Sequence, residues 1–91
     1  MAYTVVHLEV ADYDEWKKIF DADPAGRREL AIGHILSRAV DNPNEVFARS
    51  EFASVDDAKK FRQQLIDSGA LNHATVKTPP TVIEVVEQVT Y

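Results

Sequence analysis

Apolar and polar residues alternate from Tyr3 to Val10, then recur at helical spacing from Tyr13 to Phe20; this change of period governs the reading of the chain. In the first stretch Val6, Leu8 and Val10 share one face, while Tyr3, Val5, His7 and Glu9 share the other. That is a strand with one buried side. Asp12, followed three residues later by Glu15, forms a capping box that opens a helix. Tyr13, Trp16, Ile19 and Phe20 supply its apolar stripe. Asp23-Pro24 interrupts this helix and predicts a second helical stretch from Pro24 to about Ala31, ended by Gly33.

Residues 34–40 and 45–52 read as a hairpin across Asp41-Asn42-Pro43-Asn44, a run of turn formers. With Val40 opposite Glu45, Arg38 faces Phe47, Leu36 faces Arg49 and His34 faces Glu51 on one side of the sheet. Ile35, Ser37, Ala39, Val46, Ala48, Ser50 and Phe52 then fall on the other side. An odd-length connection would scramble this segregation, because a slip of one residue turns every side chain over. Ser54 with Asp57 opens a further helix whose stripe is Val55, Ala58, Phe61 and Leu65, and Ser68-Gly69 closes it. Residues 70–77 are irregular, and Thr78-Pro79-Pro80 bars any helix. The last strand is expected over Thr81–Val89, with Ile83, Val85 and Val89 on one side and Val82, Glu84, Val86 and Gln88 on the other.

The order of elements is βαββαβ. Right-handed crossovers put both helices on one face of a four-stranded antiparallel sheet with strand order 4-1-3-2. This is the ferredoxin-like α+β arrangement, with residues 1–91 as one domain. The face away from the helices carries Tyr3, Val5, Leu36, Val40, Phe47, Val82 and Val86, interspersed with His7, Glu9, His34, Arg38, Arg49, Glu51 and Glu84. So much apolar surface on an uncovered sheet marks an interface. A two-fold homodimer, sheet against sheet, is the expected solution, with Arg38, Arg49, Glu51 and Glu84 forming ion pairs across it.

Charge and composition narrow the partners. Ten Lys and Arg against 15 Asp and Glu leave a net charge of -5, which disfavours nucleic acid. The strands also lack the Gly-aromatic pattern of RNA-recognition domains. No apolar run approaches the ~18 residues of a membrane span. No leader pattern precedes the first strand, and there is no cysteine. Both features fit a cytoplasmic protein.

Residues 10–20, Val-Ala-Asp-Tyr-Asp-Glu-Trp-Lys-Lys-Ile-Phe, the hairpin at 37–46 and the later Ser54-Val-Asp-Asp-Ala58-Lys-Lys-Phe61 resemble the dimeric α/β-barrel superfamily. The likeness is to its small antibiotic-biosynthesis-monooxygenase-like and cyclase-like members, and it spans nearly the whole chain. It implies a barrel of two ferredoxin-like subunits and a ligand cleft between sheet and helices in each. It also implies action without a bound cofactor. Haem-degrading relatives use an Asn on the first strand, a Trp on the third and a His on the second helix. This chain has Val6 and His7 on the first strand, no Trp on the third, and only His73 near the last position, so that subfamily does not fit.

In the expected cleft, the small residues Ser37, Ala39, Ala48 and Ser50 lie beneath Trp16 and Phe20. Small side chains under large ones leave room for a ligand, with Trp16 and Phe20 packing it and the Ser37 and Ser50 hydroxyls contacting it. The competing reading is that the two rings fill the space as core. His73 is the acid–base candidate because imidazole titrates near neutrality, against the plainer reading of a surface loop histidine. His7 and His34 are expected on non-adjacent strands with His73 elsewhere, so no metal site is expected. Two functions stay open: a cofactor-free enzyme acting on a small apolar or aromatic molecule, and a non-catalytic ligand-binding or structural dimer.

Overall fold

The computed structural model describes residues 1–91. Strand β1 (Ala2–Glu9) buries Ala2, Thr4, Val6 and Leu8 and turns Tyr3, Val5 and His7 to the other side, as its alternation requires. The buried Thr4 hydroxyl is satisfied by donating to the Ala58 carbonyl at 2.9 Å, which ties β1 to the helix above it. Helix α1 (Tyr13–Ala22) starts at Asp12, whose carboxylate accepts from the Asp14 amide. Helix α3 (Val55–Asp67) starts at Ser54, whose hydroxyl accepts from the Asp57 amide at 3.1 Å. Strands β2 (Gly33–Ala39), β3 (Asn42–Phe52) and β4 (Thr75–Glu84) complete an antiparallel sheet of order β2-β3-β1-β4. Both strand order and fold class are those expected.

Two apolar clusters lie between the sheet and the helices. One gathers Ala2, Ala25, Phe52, Ala58 and Phe61 under α3. The other gathers Val6, Leu8, Val10, Trp16 and Val46 under α1. Phe52 and Val46 are fully buried, one in each cluster, so β3 anchors both halves.

Three local expectations are corrected. First, the hairpin register differs by one residue: Ser37 lies opposite Phe47, Leu36 opposite Ala48 and His34 opposite Ser50. His34, Leu36 and Arg38 therefore face the helices, and Ile35 and Ser37 join Phe47 on the uncovered face. The cause is a two-residue turn at Val40-Asp41 followed by a bulge at Pro43-Asn44-Glu45, since Ala39 pairs with Asn42 but Arg38 with Val46. Proline cannot donate to the ladder, and Asn44 is claimed elsewhere. Its carbonyl accepts from the Val10 amide at 2.8 Å, and its side chain binds the Tyr13 amide and the Ala11 carbonyl.

Second, the short helix after α1 is only α2 (Arg27–Leu30), and Gly33 belongs to β2. Asp23 and Gly26 both take left-handed backbone angles, with φ of 58° and 73°, so the chain turns sharply before the helix begins. Asp23 still caps it, with its two carboxylate oxygens accepting from the Arg27 and Arg28 amides at 2.8 and 3.0 Å.

Third, β4 starts at Thr75 and ends at Glu84, well ahead of the expected Thr81–Val89. It is an edge strand whose outer side has no neighbour, so Pro79-Pro80 are tolerated within it, beside two register shifts against β1. Its faces are exchanged as well: Val82 lies opposite Thr4 and packs on the α3 cluster, while Ile83 lies opposite Tyr3. Val86 is 91% exposed beyond the strand's end.

Candidate functional site

A cavity of about 60 Å³ separates the two apolar clusters. Its floor is Thr4, Val6, Leu8, Ala48 and Ser50 from β1 and β3, and its roof is Trp16, Ile19 and Phe20 from α1. Phe61 and Leu65 of α3 close one flank, and the Asp23–Arg27 turn with Ala70 and Leu71 closes the rest. Of the four small residues read from the sequence, Ala48 and Ser50 lie under the rings, while Ser37 and Ala39 do not line the space. Trp16 and Phe20 lie with centroids 5.3 Å apart, and Trp16 is 7% exposed. Trp16 is thus both core and cavity wall.

Of the residues read as substrate contacts, Trp16, Phe20 and Ser50 converge on this cavity. Ser37 does not. The register of the hairpin puts it on the uncovered face, beside Val5, His7, Phe47 and Arg49 in an open depression of about 310 Å³. His73 closes the 3₁₀ turn Ala70–His73 and is exposed. Ala70 and Leu71 of that turn line the cavity, but His73 itself does not.

The site also contains a group that the sequence did not disclose. Arg27 is 5% exposed and lines the cavity. Its guanidinium lies 3.8 Å from the Phe20 ring centroid, a close cation–π stack. Its Asp23 partner stands 3.7 Å away, and its one hydrogen bond, from Nη1 to the Phe20 carbonyl, is 3.5 Å long. Burial pulls its pKa down, and Asp23 only partly offsets this. A helical periodicity search ranks arginine as surface, so only the left-handed turn at Asp23 and Gly26, folding α2 inward, places it here.

His34 sits beside this group, its ring edge-on to Phe20 at 5.1 Å. Burial first, then the charges of Arg27 and Lys17, hold its imidazole below the ordinary 6.5, with Asp21 opposing and Arg28 reinforcing. The sign follows from linkage: the unfolded chain binds the proton more readily, so this group's stabilising effect is lost as pH falls through about 6.5. We expect His34→Gln to lose less stability than the parent between about pH 8 and about pH 5 in chemical unfolding. Equal losses would show that His34 carries no such linkage. His34 is largely exposed, so the difference is small.

The uncovered face is organised by polar pairs around aromatic rings. His7 stacks on Phe47 at 4.2 Å and meets Glu45 at 2.7 Å. Tyr3 donates to Glu51 at 2.6 Å, and that bond, with burial adding to it, raises the phenol pKa. Arg49 lies 5.6 Å from the Tyr3 ring. These contacts satisfy charges within one face and leave Ile35, Phe47 and Ile83 half exposed. His7 and His34 are on opposite faces, and no three His, Asp or Glu side chains converge as metal ligands would.

No family model matches the chain, and no curated protein is close to it in sequence. Solved structures do match. SnoaB, a cofactor-independent oxygenase from Streptomyces nogalater, superposes with a TM-score of 0.76 at 14% identity, covering 99% of this chain and 97% of its own. The fold is that of antibiotic-biosynthesis-monooxygenase-like proteins. An antibiotic biosynthesis monooxygenase matches at 0.58 and 12% identity over 96% of this chain and 100% of its own. A dimeric ferredoxin-like protein from an uncultured marine organism matches at 0.61 and 12% identity, covering 99% and 98%. At such identities the likeness is one of fold. No helix is long and apolar enough to cross a membrane.

Proposed function

We propose that the chain forms a homodimer and acts as a cofactor-independent monooxygenase-like or cyclase-like enzyme on a small, largely apolar or aromatic molecule held between sheet and α1. The cavity roofed by Trp16 and Phe20 carries this reading, because small domains are packed tightly and seldom leave such space without use. SnoaB's description as a cofactor-independent oxygenase supports it. Trp16 and Phe20 pack the molecule, the Ser50 hydroxyl orients it, and closure around it excludes water. Without a cofactor the substrate supplies the electrons: an activated CH₂ and O₂ give C=O and H₂O, after a base takes a proton from carbon. The base is assigned to an imidazole, either His73 at the edge of the 3₁₀ turn or His34 against Phe20. The dimer forms through the uncovered face, as the half-exposed Phe47, Ile35 and Ile83 favour. The absence of cysteine suits a cytoplasmic setting.

One observation favours the alternative, a ligand-binding dimer without catalysis: His73 does not line the cavity. Trp16 is the sole tryptophan, so its fluorescence reports the cleft directly. Titration with polycyclic phenols and other polyketide-like aromatics should give saturable quenching, and O₂ uptake without added cofactor should accompany it. Quenching without uptake, unchanged by any substrate in the series, would establish the non-catalytic reading. No quenching by any of them would exclude both.

A further inference from the structure

We propose that the cleft selects ligands carrying a carboxylate, which the Arg27 guanidinium holds while the ligand's apolar body packs on Trp16 and Phe20. This rests on the cleft being a ligand site and names the class of molecule it takes.

The argument begins with an unbalanced charge. Arginine is almost never fully buried unless paired, yet the side chain of Arg27 is 6% exposed. The nearest carboxylate, Asp23, is committed: both its oxygens accept short bonds from the Arg27 and Arg28 backbone amides. At 3.7 Å it makes only a loose ion pair with the guanidinium. Of the five N–H donors of that group, one is engaged, and only at 3.5 Å, on the Phe20 carbonyl. Nε and Nη2 have no protein partner, and no unpartnered polar atom here is wholly shut off from solvent-sized space. The donors left over therefore keep an opening, and the cavity is what Arg27 lines.

Stacking on Phe20 directs the choice of ligand. With its Cζ over the Phe20 ring, the guanidinium keeps its planar fork of N–H donors, which matches a carboxylate through two parallel bonds. The surrounding charge does not oppose an anion: Arg28 and Lys17 balance Asp21 and Asp23, and Arg27 is left as the excess. Ser50 adds a second contact. It is 6% exposed, lines the same cavity and makes no side-chain hydrogen bond within the protein. Size sets the pose: about 60 Å³ is less than half of the ~150 Å³ that encloses a benzene. The head group enters, and the rest of the molecule lies in the mouth.

Benzoate and its neutral isostere benzamide test this on the intact protein, with Trp16 fluorescence as readout. Benzoate should bind at least about ten-fold more tightly, as a charge-assisted pair in a dry site requires. It should also shift the Arg27 Nε–H resonance further than benzamide does. Arg27→Gln should abolish the preference and bring benzoate to the affinity that benzamide has for the same variant. Equal affinities in the parent protein, or a preference that survives Arg27→Gln, would overturn the proposal. If that variant does not fold, the parent's affinity ratio and the Arg27 resonance decide alone. Benzamide binding with no preference for the anion refutes the carboxylate site and leaves the cleft reading standing. Binding of neither probe overturns the carboxylate site, and the quenching titration with polyketide-like aromatics then decides the cleft reading separately.

Discussion

Phe52→Ala is expected to remove about 3 to 5 kcal/mol of folding stability, the usual result of truncating a buried phenylalanine. Phe52 is fully buried and packs at 5.4 Å against Phe61, in a cluster with Ala2, Ala25 and Ala58. The alanines of the cluster have no side-chain length with which to refill the space that the ring vacates, so closure falls to Phe61 and to the partly buried Leu30, Val55, Leu65 and Val82 around it. The loss is a large share of the ~5 to 15 kcal/mol that such domains possess. Urea unfolding at one fixed protomer concentration measures it, because the proposed dimer would make stability depend on concentration. Val40→Ala is the control: Val40 is 99% exposed at the hairpin turn, and its truncation should stay within about 0.5 kcal/mol. A loss below about 1 kcal/mol for Phe52→Ala would mean that β3 does not anchor the α3 cluster as described.

Phe47→Glu should turn the dimer into monomers, with dissociation increased at least about a hundred-fold. Phe47 stands 43% exposed at the middle of the uncovered face, stacked on His7, with Glu45 and Glu51 on the same side of β3. Two-fold symmetry introduces the new carboxylate twice, among carboxylates already paired to His7 and Tyr3. Arg49, two residues along β3, can meet each one only by leaving the Tyr3 ring, and each must be desolvated if the sheets are to meet. Sedimentation at micromolar concentration should show a dimer for the parent and a single subunit for the variant, with far-ultraviolet circular dichroism unchanged. Ile66→Glu supplies the contrast, since Ile66 is half exposed on α3, across the domain from this face, and should leave the dimer whole. A monomeric parent, or a Phe47→Glu variant that still dimerises, would overturn the interface.

The two halves of the site were unequally legible. Trp16 and Phe20 fall on a helical stripe behind an unmistakable cap at Asp12, and Ser50 lies on a strand whose Val46 and Phe52 leave only one burial pattern open. Ser37 and His34 were exchanged between faces because β2 carries Ile35 beside Leu36 and Ser37 beside Arg38, so its own alternation does not choose a side. The choice fell to the bulge at Pro43–Glu45, which Asn44 holds through bonds to Val10, Tyr13 and Ala11. None of these is near in sequence. The prolines of β4 misled in a similar way: they forbid a central strand but not an edge strand, and edge position is a property of the assembled sheet.

The order of periods, the caps at Asp12 and Ser54 and the stripes of the two long helices were enough by themselves to specify the βαββαβ fold, because each is a local preference that agrees with the whole. Strand register, the side on which His34 and Ser37 stand, and the burial of Arg27 belonged to the tertiary structure alone. Each depends on a contact between distant segments or on two left-handed residues whose effect is to aim a helix, and no period of 2.0 or 3.6 residues records where such a contact falls.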